Sequence, residues 1–187
     1  GDGVAEIIVG TADGTVFAFR GDGTILPGWP VSTDLLPGLD PGNPRNHLGA
    51  PAYRHGGVGS NIRSSVVASV AVGDIDGDGS PEVVAADLEG KVYAWDVSGR
   101  LLPGFPVSTD PAFSRPADRN PNNAVHRGIF ASPALGDLDG DHVRDIVVAA
   151  MDQHVYAWKG DGTSVPGWPV LARDLSLDRS VELLALR

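Results

Sequence analysis

Residues 78–107 read "DGSPEVVAADLEGKVYAWDVSGRLLPGFPV", and the pattern of this stretch occurs twice more in the chain. Residues 2–31 read "DGVAEIIVGTADGTVFAFRGDGTILPGWPV", and residues 141–170 read "DHVRDIVVAAMDQHVYAWKGDGTSVPGWPV". The three copies align without a gap, offset by 76 residues and then by 63. Glu6, Glu82 and Asp145 fall in register, as do Phe19, Trp95 and Trp158, and Trp29, Phe105 and Trp168. Self-similarity of this kind marks a repeat architecture whose units stack on one another.

Each copy reads as a set of short strands. "PEVVAAD" and "KVYAWD" are β-branched and aromatic, and Gly, Asp or Ser bounds them. Residues 88–90, "LEG", have hairpin character. "RLLPGFPV" (100–107) predicts a further strand, and its prolines place it at a sheet edge, because proline cannot donate to a ladder. Apolar stretches precede the two full acidic loops, "SSVVASVAVG" at 64–73 and "RGIFASPALG" at 127–136, and each predicts one more strand. That makes four strands per unit, and no segment shows sustained helical periodicity. The expected class is all-β, built of four-stranded antiparallel propeller blades in a partial ring. The expected blades are about 1–34 (the last three strands of one), 62–110 and 126–173. Residues 179–187 are expected to supply the first strand of another, and 35–61 and 111–125 read as loops between blades.

Between the strands lies a carboxylate pattern. In "GDIDGDGSPEVV" (73–84), Asp74, Asp76 and Asp78 occupy alternate positions, Ser80 follows with a backbone carbonyl, and Glu82 comes next. Asp137, Asp139, Asp141, the carbonyl of Val143, and Asp145 repeat the arrangement. Hard cations want oxygen donors in this mixture, six to eight at about 2.3–2.6 Å for calcium. The expectation is therefore two calcium sites. A third loop retains only Asp2 and Glu6 and is expected to be incomplete. These are not EF-hands, since Ala85 stands where a bidentate glutamate would be and the flanks are strands. His142 replaces Gly79 at the sharp turn, and histidine tolerates the left-handed region better than most residues.

"ASVAVGDIDGDGSPEVVAADLEGKVYAW" and "ASPALGDLDGDHVRDIVVAAMDQHVYAW" resemble FG-GAP, or VCBS-type, repeats. These are the repeats of integrin α-subunit propellers and of many bacterial surface proteins, and the "GWPV/GFPV" ending is similar to a bacterial secreted subgroup. The resemblance covers about 1–31, 64–107 and 127–170. It departs from the integrin pattern where "GAP" after the second strand is replaced by "AAD", "AAM" and "GTA". The resemblance implies the same calcium ligands, a location outside the cell or on its surface, and a role in adhesion or in binding a glycan or protein. It also implies further blades, or another chain, to complete the ring.

Composition narrows the alternatives. The net charge is −10, and ten of the 24 acids lie in the three loops, which leaves 14 acids against 14 Lys and Arg. No basic cluster is available to neutralise nucleic-acid phosphate or an anionic membrane. No window approaches the 18 apolar residues of a membrane helix. The opening "GDGVAEIIVG" lacks the basic-then-apolar pattern of a leader. There is no cysteine for disulfide or thiol chemistry, and the five histidines show no zinc-binding spacing. Repetition of the acidic loop argues for structure over catalysis. The enzyme alternative is the propeller of a calcium-dependent polysaccharide lyase or other secreted hydrolase; the third reading is a purely structural appendage.

Candidate ligand-binding residues cluster in the variable loops: Arg45, Tyr53, Arg54 and His55 in one, Arg115, Arg119, His126 and Arg127 in the other. Arg and Asn beside Tyr suit an acidic or polyhydroxylated ligand, and loops on a rigid scaffold are where binding usually resides. The strand aromatics read as packing residues, with Trp29, Phe105 and Trp168 near a rim where rings can also stack on sugars.

Overall fold

The computed structural model describes residues 4–36, 63–114 and 126–172. The described residues are almost entirely β and loop. Three antiparallel sheets follow one another along the chain, and none closes into a barrel. The first is β1 (Ile7–Gly10), β2 (Thr15–Phe19) and β3 (Val31–Ser32). The second is β4 (Ala71–Gly73), β5 (Glu82–Ala86), β6 (Lys91–Trp95) and β7 (Val107–Ser108). A 3₁₀ turn at Pro111–Phe113 follows. The third is β8 (Ala134–Gly136), β9 (Asp145–Ala149), β10 (His154–Trp158) and β11 (Val170–Leu171). Each four-stranded sheet is a simple meander, with its strands side by side in chain order.

The repeat alignment reappears as register. Val83 faces Trp95 across β5 and β6 as Ile7 faces Phe19 across β1 and β2 and as Ile146 faces Trp158 across β9 and β10. The proline-bearing segments end as edge strands, as expected, but shorter. Only Val107 and Ser108 join the ladder, and Leu101 makes an isolated bridge to Trp95. Pro103 and Pro106 have no N–H to extend it. The Trp29–Pro30, Phe105–Pro106 and Trp168–Pro169 peptides are all cis.

The stretches 64–73 and 127–136 also contribute less strand than their apolar character predicts, three residues each. Their first halves spend backbone groups elsewhere. Val66 N–H donates to the Thr11 carbonyl (3.1 Å), while the Ser65 carbonyl accepts from Leu88 N–H (3.1 Å). Ile129 N–H donates to the Asp87 carbonyl (3.0 Å), and the Gly128 carbonyl accepts from Met151 N–H (2.9 Å). Each segment therefore staples the hairpin turn of one sheet to that of the next. A second tie is a tyrosine. Tyr93 Oη donates to buried Asp87 (3.3 Å) and accepts the Asp34 N–H of the preceding sheet (3.0 Å). Tyr156 Oη donates to buried Asp152 (2.6 Å) and accepts the Asp110 N–H (3.2 Å).

The sheets stack face on face. One face of the second sheet (Val83, Ala85, Tyr93, Trp95) packs on Val16, Ala18 and Trp29 of the first. Its other face (Val84, Ala86, Val92, Ala94, Phe105) packs on Ile146, Val148, Tyr156 and Trp158 of the third. The middle sheet is thus buried on both sides, which is why β5 reads "EVVAA" without a polar alternation. Each fully buried valine there contributes roughly 1.5–3 kcal/mol of transfer free energy. The residues expected as a further strand, 179–187, lie outside the described residues, as do Arg45, Tyr53, Arg54, His55, Arg115 and Arg119.

Candidate metal centre

The two full acidic loops connect β4 to β5 and β8 to β9, so each lies at the entrance to a central strand. Their side chains first build the loop itself. Asp74 accepts from Gly77 N–H (2.7 Å) through one oxygen and from Gly79 N–H (3.0 Å) through the other. Asp137 does the same with Gly140 (2.7 Å) and His142 (3.0 Å). Asp76 and Asp78 accept from the N–H groups of Asp78 (3.1 Å) and Ser80 (2.6 Å). Asp139 and Asp141 accept from those of Asp141 (3.3 Å) and Val143 (2.9 Å). Gly79 and His142 hold φ of 87° and 69°. The left-handed position thus accommodates histidine, and the loop keeps its course.

The last acid of each loop opens the strand that follows. Glu82 and Asp145 are buried at the start of β5 and β9, and each accepts a loop N–H, Ile75 (2.9 Å) and Leu138 (2.8 Å) respectively. Burial raises both pKa values above the ordinary carboxylate range, and the charges of Asp76, Asp78 and Asp74 add to the rise at Glu82. Glu6, their counterpart in the first sheet, is exposed, and Asp2 lies outside the described residues.

The carboxylates converge in threes. In the first loop, Asp74, Asp76 and Asp78 each bring an oxygen within 4.8 Å of the others. In the second the convergent set is Asp137, Asp139 and Asp145. One neighbour also distinguishes the second loop. Lys159, which follows β10, pairs with Asp139 and with Asp141 (3.1 Å). Those hydrogen bonds drive the Lys159 pKa well up. The aligned residue of the second sheet is Asp96, which turns to Arg100 instead (3.0 Å). Reading down that one column of the alignment (Arg20, Asp96, Lys159) is the signal that separates the loops. Both oxygen-only sets could hold a metal ion, and their donor chemistry suits a hard cation better than a soft one. Ser80 and Val143 stand beside them, with carbonyls at the expected sequence position.

Two cavities flank these loops. One of about 450 Å³ lies between them, with Asp76 on one wall and Asp141 and Lys159 on the other. The second, about 590 Å³, lies between the first and second sheets, walled by Ile8, Leu26, Trp29, Val83 and Val97, with Glu6 and Ser80 at its polar margin. Of the loop residues expected to bind a ligand, His126 is exposed, and Arg127 pairs with Glu89 (3.2 Å) while its carbonyl accepts from Thr109 Oγ1 (3.4 Å). Trp29 and Phe105 are buried between sheets, whereas Trp168 is half-buried.

No family model matches the chain, and no curated protein matches it. Among solved structures it is similar to one described as BBS1N in complex with ARL6DN, soaked with lead, at 11% identity and a TM-score of 0.51. The match covers 86% of this chain and 38% of that one, so the chain spans well under half of its neighbour's length. A second similar structure is the computationally designed Ika8 protein, at 20% identity, 89% and 35% coverage and a TM-score of 0.42. At such identities the first likeness concerns the all-β fold alone.

Proposed function

We propose that the chain is a calcium-stabilised segment of a β-propeller with FG-GAP-like repeats, part of an extracellular or cell-surface protein that binds a glycan or protein ligand. The observation that carries the reading is the twofold recurrence of an all-oxygen acidic loop with the same hydrogen bonds at the same place in two sheets. The stacking of four-stranded meanders in chain order supports the propeller part.

Within that reading, Asp74, Asp76 and Asp78 hold one cation and Asp137, Asp139 and Asp145 the other. A bound calcium supplies positive charge that offsets carboxylate repulsion and ties the two strands flanking each loop. The protein's own part is to hold the loop open in advance, through the Asp74 and Asp137 caps and the left-handed turn. External calcium at millimolar level is enough to fill even sites of about 10⁻⁴–10⁻³ M. Ligand binding would use the loops and cavities around this frame, and the apolar cavity at Trp29 is of the size that small ligands occupy.

The test is thermal unfolding with and without chelator. Calcium at roughly 100 times its Kd adds about 2.7 kcal/mol per site. The expected result is a melting temperature several degrees higher in calcium than in EDTA, with magnesium less effective. An unchanged melting temperature, together with no heat on calcium titration, sinks the metal reading.

A further inference from the structure

The two acidic loops touch one another. A Cβ on Gly77 of the first would lie 3.3 Å from Val143 Cγ2 of the second. A closer contact runs through the turn that follows β10. The Lys159 N–H donates to the Thr163 carbonyl (2.8 Å) and the Lys159 carbonyl accepts from Gly162 N–H (2.9 Å), so the backbone of this turn is pinned. A Cβ on Gly160 would lie 1.8 Å from the Ile75 carbonyl oxygen and 3.1 Å from the Asp76 nitrogen. The Gly160 φ lies outside the left-handed region, so closeness alone calls for glycine there. Ile75, across this contact, is buried and donates its N–H to Glu82 of the first loop (2.9 Å). Lys159 and Gly160 thus serve different loops. The side chain of one pairs with the second loop, and the backbone of the other lies against the first.

The second loop is arranged around that lysine. Asp141 is absent from the convergent set of Asp137, Asp139 and Asp145, whereas the aligned Asp78 belongs to the first set. Its Oδ2 accepts from Lys159 Nζ instead (3.1 Å). Asp139 is shared, since it pairs with Lys159 and also belongs to the convergent set. Asp145 still calls for a cation. It is 2% exposed, and its Oδ2 accepts from Leu138 N–H, but among the described residues no hydrogen bond reaches its Oδ1. A buried carboxylate oxygen without a partner is costly, and a cation in the convergent set would supply one. The cavity of about 450 Å³ between the loops has Asp76 on one wall and Asp141 and Lys159 on the other. It gives the lysine room to leave Asp139 while keeping Asp141.

We propose that calcium at one loop opposes calcium at the other, with Lys159 as the link, a coupling that presupposes the calcium reading of both loops. When the second loop is filled, Asp139 is withdrawn from Lys159. The ammonium, still held by Asp141, swings into the cavity toward Asp76. Positive charge has then gathered on the side of the second loop that faces the first, and the first loop's affinity falls. Coupling between binding sites is reciprocal, so an ion on the first loop holds Lys159 on Asp139 by the same factor. The chain therefore passes through a one-ion state, with calcium on the first loop and lysine on the second, before the two-ion state. The pair fills over a wider span of calcium concentration than two independent sites do.

The test is calorimetric titration of the full chain with calcium. Asp145→Asn and Asp78→Asn each silence one loop without altering the cavity wall, and each gives the association constant of the remaining loop. The product of the parent's two stepwise constants should fall about three- to tenfold below the product of the two single-loop constants. Lys159→Met, titrated in the same three backgrounds, should bring the ratio toward one, and Lys159→Arg should keep it. Circular dichroism spectra like the parent's show that the variants fold, and Lys159→Gln serves where Lys159→Met does not. Equal products in the parent, with calcium bound at both loops, overturn the coupling and leave the calcium reading standing. A ratio undiminished in Lys159→Met overturns it too, as does a second loop that takes no calcium while the first does. An absence of calcium binding in the parent and in both single-loop chains removes the calcium reading, and the coupling with it.

Discussion

Lys159 sets the two acidic loops apart. Its ammonium already occupies the neighbourhood of Asp139 and Asp141, so a cation entering the second loop has to displace or share it. Among the described residues no ion pair is made by Asp74, Asp76 or Asp78, whose hydrogen bonds are to the loop's own backbone. The first loop should therefore bind calcium more tightly. Lys159→Met should tighten the second by roughly three- to tenfold, the order expected for removing one charge next to a cation in partly screened surroundings. Isothermal titration of parent and variant checks this, with Asp76→Asn used to silence the first loop. Equal affinities in parent and variant would refute the competition. The chemistry of the loops was legible from spacing alone: alternate carboxylates and a left-handed sixth residue are local properties. The alignment column holding Lys159 shows a change of charge, but not that the ammonium reaches Asp139 and Asp141.

At the scale of the element, the hairpins and their order followed from β-branched runs bounded by Asp and Gly. The strands before each acidic loop were overestimated. An apolar run carries no mark of whether its N–H groups go to a ladder or to a neighbouring turn, and Val66 and Ile129 give theirs to turns. The glycines separate two reasons for being glycine. Gly104 and Gly167 share a left-handed φ (87° and 92°), but only Gly104 abuts another sheet. Gly167→Ala should cost about 1 kcal/mol, the backbone penalty alone. Gly104→Ala should cost several kcal/mol in total, because the Asp161 backbone has to move. Chemical denaturation of the two variants measures the difference directly, and equal losses would contradict the packing at that contact.

The molecule as a whole titrates in opposing directions. Burial holds Asp87, Glu82 and Asp145 above the usual carboxylate range. A raised carboxylate contributes stability that is complete below its unfolded pKa and is lost as pH rises through the folded one. Hydrogen bonds from Thr11, Thr24 and Thr163 hold Asp13, Asp22 and Asp161 below that range, and their contribution is lost as pH falls through the folded values. In EDTA, stability should therefore peak at mildly acidic pH, between the two sets, and decline toward neutral. Calcium should move the maximum to neutral pH, since it binds the ionised loops. Melting temperature against pH in the two buffers decides it; coincident profiles would mean that the loops take no cation. The overall stacking of sheets was legible in the repeat, but the identity of the half that is covered was not. Only the packing shows that the middle sheet is covered on both faces by its neighbours.

The tyrosine ties carry one more consequence, for how such a chain tolerates change. Tyr93 finds its carboxylate at Asp87, the first residue of the hairpin turn, whereas Tyr156 finds it at Asp152, the third. In the third sheet the first turn position is Ala150, and in the second the third is Glu89. The two turns are mirror solutions to one demand, a buried acceptor within reach of one phenol. Asp87→Ala alone should lose about 1–3 kcal/mol, as expected for an orphaned buried donor. Adding Glu89→Asp should return part of it, which a double-mutant unfolding cycle would register as favourable coupling. Each substitution then becomes acceptable in the background of the other, so the copies can drift apart in sequence while the hydroxyl remains paired.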